Sequence, residues 1–193
     1  MKDNGIYYLQ ISNFNDDTET LFNNAVSDIL LKQPKGIILD LRNNPGGYLD
    51  TAVYVSSEWI KEGPVVAEQF GENRRAEHFS NGSGRLEGIP TVVLINEGSA
   101  SASEIVAGAL RDYKKATIIG KQSFGKGSVQ SIRGLSDGSS LKVTVAKWLT
   151  PEGDYIHDKG IAPQIEVDFT EDDFNNDLDP QLERAFKYIL EGK

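Results

Sequence analysis

The chain has 193 residues, 38% of them hydrophobic and 25% charged, enough for one compact domain with a real core and unlike a disordered chain or a disulfide-stapled miniature. A net charge of −9 makes nucleic acid an unfavourable partner, and the absence of cysteine excludes thiol nucleophiles, zinc thiolate sites and disulfides. No stretch approaches the roughly 20 apolar residues that span a bilayer, and residues 1–15 lack the basic start and apolar run of a secretory leader.

Met1-Lys2-Asp3-Asn4-Gly5 leads straight into an apolar segment, which fits an internal cut in a longer protein as well as a natural beginning, and residues 6–11 predict a strand. Residues 16–31 then place Leu21, Phe22, Val26, Ile29 and Leu30 on one helical face. A second apolar strand, residues 36–41, stops at the polar turn Arg42-Asn43-Asn44-Pro45-Gly46-Gly47, and a helical pattern resumes over residues 48–60. Residues 64–70 and 77–79 predict a β excursion around the charged turn 71–75. Thr91 to Ile95 is a continuous apolar run of the buried-strand kind, followed by the small-residue loop 96–100 and a helix over residues 101–113.

Residues 116–120 form another buried strand, and after a glycine-bearing loop residues 128–132 and 139–148 alternate as antiparallel strands turning at Asp137-Gly138. Asp179-Pro180 opens a terminal helix through Leu190, with proline in the tolerated first turn. The acidic run Glu166, Asp168, Glu171, Asp172, Asp173, Asp177 and Asp179 is read as a solvated surface without chemistry. Strands alternating with helices give a largely parallel sheet with covered faces, and ligands on such a sheet sit where loops leave the carboxyl ends of strands. Loops 42–47, 96–101 and 121–127 qualify.

Two of these loops carry residue types suited to catalysis. In Gly98-Ser99-Ala100-Ser101-Ala102-Ser103-Glu104 a buried strand delivers small residues to a helix start, where free N–H groups can stabilise an oxyanion. Ser101-Ala102-Ser103-Glu104 equally fits a capping box, in which the hydroxyl merely satisfies an orphan amide. Gly120 with Gly125-Lys126 has phosphate-loop spacing, but Gly127 stands where that motif needs Ser or Thr. A serine nucleophile needs a base, and neither His78 in the β excursion nor His157 in a Gly/Asp-rich turn lies near a strand-to-helix loop; both read as surface histidines. Lys126 is the alternative, provided its loop, between Phe124 and tight glycines, takes the amine out of water, since desolvation is what makes a lysine a base near neutral pH.

Taken in order, Asp40-Leu41-Arg42-Asn43-Asn44-Pro45-Gly46-Gly47, the 98–104 run and Ser123-Phe124-Gly125-Lys126-Gly127-Ser128-Val129-Gln130 resemble the carboxyl-terminal processing peptidases, or tail-specific proteases. Leu149-Thr150-Pro151-Glu152-Gly153 through His157, Gly160, Ile161 and Pro163 resembles the family's following segment. The resemblance implies a crotonase-like or Clp-like α/β core, with a largely parallel sheet covered by helices plus a small antiparallel β portion. It implies a Ser/Lys serine endopeptidase cutting proteins near apolar C-terminal tails through an acyl-enzyme, without metal or organic cofactor. Ser101 would be the nucleophile and Lys126, 25 positions later, its base. Gln130 would help position Lys126, while the N–H groups of Gly47 and Ala102 would form the oxyanion hole, with Gly46 the fallback should the loop register differ.

Family members commonly carry a signal or membrane anchor, flanking helices and a substrate-binding PDZ module, none of which is visible, so residues 1–193 are expected to be a single catalytic core. Any homo-oligomer would then form through segments outside this chain. The resemblance also implies an extracytoplasmic setting. Two readings from other classes stand beside it: a catalytically silent scaffold that binds extended peptides at a sheet edge, and nucleotide binding through residues 120–127.

Overall fold

A computed structural model describes residues 5–192; residues 1–4, the lead-in to the first strand, lie outside the described residues. Five parallel strands form the main sheet: β1 (Ile6–Gln10), β2 (Gly36–Asp40), β5 (Thr91–Ile95), β6 (Thr117–Gly120) and β9 (Ile165–Glu166), in the order β1-β2-β5-β6-β9. Its central strands β2 and β5 are buried at every position because both faces are covered. Ile37, Leu39, Val93, Ile95 and Ile118 point into the larger core, against α1 (Thr18–Lys32), α2 (Leu49–Ser56) and α3 (Ala102–Asp112). Their neighbours Ile38, Val92, Leu94 and Ile119 point the other way, against Leu182, Ala185, Phe186 and Ile189 of α5 (Pro180–Glu191). The period of two along each strand divides one apolar run between two cores.

A second, antiparallel sheet runs β4-β3-β8-β7, from β3 (Pro64–Phe70), β4 (Arg74–Phe79), β7 (Ser128–Gly134) and β8 (Ser140–Leu149). Val65, Val66 and Trp148 join it to the larger core, whereas the distal β7–β8 hairpin leaves Ile132, Leu141 and Val143 exposed. This is the expected architecture, a helix-covered parallel sheet with a smaller antiparallel one.

Local differences have physical reasons. The α1 face is Thr18, Phe22, Val26 and Ile29, at helical spacing; Leu21 and Leu30, expected beside them, are 60% and 43% exposed because they flank the contact line. The turn in the β excursion is tighter than expected, so β4 starts at Arg74. The two-residue β9 and the five-residue α4 (Glu171–Asn175) are too short to show a period, and neither was foreseen. The acidic run is mostly exposed, as expected; within it Glu166 and Asp168 pair at the surface with Lys121 at 2.6 and 2.7 Å, and half-buried Asp179 caps α5 through the Leu182 N–H. Among the described residues no helix is long and apolar enough to cross a membrane.

Candidate active site

All three loops at the carboxyl end of the main sheet meet. Loop 42–47 is tied to loop 96–101 by Asn43 N–H to Asn96 Oδ1 at 2.8 Å, Ser99 Oγ to the Leu41 carbonyl at 2.8 Å and Ala100 N–H to the Asn44 carbonyl at 2.9 Å. Loop 121–127 joins through Phe124 N–H to the Ser99 carbonyl at 3.0 Å. The two loops that carry Ser101 and Lys126 then converge on one side chain. Glu104 accepts the Ser101 N–H at 2.8 Å and the Lys126 N–H at 2.9 Å on Oε2, and the Ser123 hydroxyl and Gly125 N–H, each at 2.6 Å, on Oε1.

Ser101 occupies the N-cap position of α3 with φ 55° and ψ −114°, a conformation that side-chain-bearing residues adopt only under tertiary constraint. The Ser-x-x-Glu box is present, but its closed half is Ser101 N–H to Glu104. The hydroxyl faces the box without making a cap hydrogen bond, and the Glu104 N–H goes to the Ser101 carbonyl at 2.9 Å. The half-buried Ser101 hydroxyl is therefore not consumed in capping.

Gly46 lies against the serine and Gly47 against Phe14, and nothing larger fits at either position. A Cβ on Gly46 would come within 2.7 Å of Ser101 Cβ and 3.0 Å of Ala102 N, and one on Gly47 within 1.8 Å of the Phe14 carbonyl oxygen, at φ 142°. The Gly46 N–H is taken by Asn44 Oδ1 at 2.8 Å. Among the described residues the N–H groups of Gly47 and Ala102 have no hydrogen-bond partner, the latter because it opens a helix. Two unpartnered amides thus belong to the two segments that abut Ser101.

Lys126 and Gln130 are arranged differently from expectation. Lys126 is exposed and Phe124 beside it is 68% exposed, so the burial anticipated for the amine is not provided by the free chain. Among the described residues no hydrogen bond joins the Lys126 amine to the Ser101 hydroxyl. Gln130 is exposed on β7, beside the irregularity in the β7–β8 ladder at Val129 and Gln130, and its amide makes no hydrogen bond to Lys126; a strand separates residues four apart more widely than a helical step does. That strand also removes the helix start that a phosphate loop needs after Gly127.

The histidines lie outside this cluster. His78 sits on β4 with Nε2 3.2 Å from Glu68 Oε2 and its ring edge-on to Trp148. His157 is less superficial than expected: its Nδ1 is buried without a partner, and its backbone packs so closely on Gly127 that a Cβ there would lie 2.1 Å from His157 N.

Several supporting residues escaped sequence reasoning. Buried Asn44 braces the glycine turn, its Nδ2 donating to the Ile11 carbonyl at 2.7 Å while its own carbonyl accepts from Ser103 Oγ at 3.0 Å. At the foot of the same loop Arg42 forks between Asp40 and Asp179, with guanidinium-to-carboxylate distances of 2.7 and 2.8 Å, and Tyr8 OH donates to Asp40 at 2.8 Å. Burial opposes the charge on Arg42, but its two carboxylates outweigh that and raise its pKa; burial together with Asp40 raises that of the Tyr8 phenol. The only signal for these partners was the polar Asp40 ending an apolar strand.

Fold and loops together describe an α/β domain in which a helix-start serine is flanked by unpartnered amides. The model of peptidase family S41 matches residues 5–167. The chain is 42% identical over 168 residues to the carboxy-terminal processing protease CtpA of Bacillus subtilis (strain 168), covering 87% of this chain and 36% of that protein. It is 46% identical over 162 residues to a probable CtpA-like serine protease of Staphylococcus aureus (strain N315), covering 83% and 33%. The solved photosystem II D1 C-terminal processing protease superposes with a TM-score of 0.82 at 36% identity, over 84% of this chain and 42% of that one. The chain belongs to peptidase family S41, and it spans about a third of the length of the CtpA relatives it matches.

Proposed function

We propose that the chain is the catalytic part of a serine endopeptidase that cuts polypeptides near apolar C-terminal tails, with Ser101 as nucleophile and Lys126 as general base. The observation that carries this reading is the shared carboxylate: the backbone amides of Ser101 and Lys126 hang on the same Glu104 oxygen, next to the unpartnered N–H groups of Gly47 and Ala102.

Neutral Lys126 takes the Ser101 proton as Oγ bonds to the peptide carbonyl carbon, and Gly47 and Ala102 hold the oxyanion. The C–N bond then breaks as Lys126 returns the proton to the departing amine. Water, deprotonated by Lys126, attacks the ester and releases a carboxylate product and free Ser101. Because Lys126 is exposed in the free chain, the dry surroundings that a neutral lysine base requires come with the substrate, whose chain covers the loop as it binds. The same coverage brings Gln130 into service as a neutral hydrogen-bond partner that steadies the amine without adding charge. An extracytoplasmic setting follows from the same family reading.

Ser101→Ala and Lys126→Ala should each lower kcat/KM on an unstructured peptide by about 10³-fold or more while the circular dichroism spectrum stays native. A fluorophosphonate should label the wild-type chain and not Ser101→Ala. Full cleavage by either variant would refute the assignment, and peptide binding without cleavage by the wild type would favour the silent-scaffold reading.

A further inference from the structure

We propose that Glu104 is a positioning residue whose carboxylate sets the base loop against the nucleophile, an inference that rests on the Ser101/Lys126 reading. Glu104 is fully buried, and among the described residues no lysine, arginine or histidine pairs with it. A carboxylate in that position is costly unless its lone pairs are filled. Here four donors fill them, at 2.6 to 2.9 Å, and its place in the first turn of α3 adds the favourable helix field.

The identity of the donors gives the carboxylate its role. Three come from loop 121–127, namely Ser123 Oγ, Gly125 N and Lys126 N, and the fourth is the amide of Ser101 itself. Ser123 Oγ in turn accepts the Ile161 N–H at 2.7 Å, which anchors the far side of the loop. Glu104 touches no reacting atom. It holds Ser101 at φ 55° from one side of Oε2 and the Lys126 backbone from the other, so nucleophile and base cannot drift independently.

Only an ionised carboxylate suits this task, because it is an acceptor on both oxygens. In Glu104→Gln one end becomes an NH2 group that meets two donors with a third, and one pair of bonds is lost. Aligning Ser101 with its base matters to the chemical step more than to substrate capture, so the loss falls on kcat.

The test compares wild type, Glu104→Gln and Ser123→Ala. It measures the rate at which a fluorophosphonate labels Ser101, kcat and KM on a peptide, and amide hydrogen exchange. We expect Glu104→Gln to label and turn over about tenfold or more slowly with KM little changed. Exchange should speed up at Gly125 and Lys126 while the amides of β5 stay protected. Ser123→Ala, which removes one donor, should shift the same readouts in the same direction by less. Wild-type labelling and wild-type exchange at Gly125 and Lys126 in Glu104→Gln would overturn the proposal. If Glu104→Gln loses β5 protection as well, Ser123→Ala decides, and its unchanged labelling and exchange would overturn it. If the wild type itself takes no label, the peptidase reading fails, and exchange at Gly125 and Lys126 still shows whether Glu104 holds the loop.

Discussion

At Gly47, backbone geometry and chemistry are the same question. Its φ of 142° and the 1.8 Å approach that any Cβ would make to the Phe14 carbonyl oxygen leave no room for a side chain. Gly47→Ala must swing the loop away from Phe14, and its unpartnered N–H goes with it. Gly47 is one of the two proposed oxyanion donors, and loss of one such donor lowers kcat by about 10²–10³-fold, so steady-state kinetics on a peptide should show that drop with a smaller change in KM. Gly127 poses a complementary case. Gly127→Ser would complete the phosphate-loop sequence, yet its Cβ would fall 2.1 Å from His157 N and a strand would still follow. We expect a lower melting temperature and no heat on titration with Mg-ATP. At this scale the sequence was informative about residue types: Ser101, the glycine pair and Gly127 could all be singled out, because helix starts, tight turns and motif mismatches are local. Glu104 was legible only as a capping partner, since its other three donors come from a loop some 20 residues downstream.

Among elements, the contact of greatest consequence is that between α5 and loop 42–47. Asp179 caps α5 through the Leu182 N–H at 2.9 Å and simultaneously holds Arg42. Burial would raise its carboxyl pKa, but Arg42 and the Leu182 N–H outweigh that and hold it below the ordinary value. A carboxylate whose pKa is depressed on folding contributes stability that is present above the unfolded value of about 3.9 and is lost as the pH falls through the folded one. Asp179→Asn keeps a cap acceptor while removing the charge. It should cost about 1–2 kcal/mol at pH 7 in urea unfolding, reduced from a fully buried pair by the partial exposure of both groups, and the gap to wild type should narrow as the pH falls below the unfolded value of about 3.9. The helix and its cap were readable from Asp179-Pro180; that the cap reaches across to Arg42, 137 positions away, was not, because no local pattern encodes that distance.

Across the whole molecule, stability and function draw on different parts. The parallel sheet is sealed on both faces, so Leu39→Ala, at a fully buried position, should cost about 2–5 kcal/mol in denaturant unfolding. Ile132→Ala, at a site 70% exposed on the β7–β8 hairpin, should stay within about 0.5 kcal/mol. Hydrophobic periodicity determined the main strands, the long helices and the order in which they alternate, because burial imposes a period of 2 or 3.6 on the chain itself. It determined as well which three loops leave the carboxyl ends of strands. Tertiary structure alone decided that Glu104 would gather two of those loops on one carboxylate, that the Ser101 hydroxyl would be left uncapped, and that Lys126 would remain exposed in the free chain. Those outcomes depend on directional hydrogen bonds between distant segments, and such bonds have no period in sequence to reveal them.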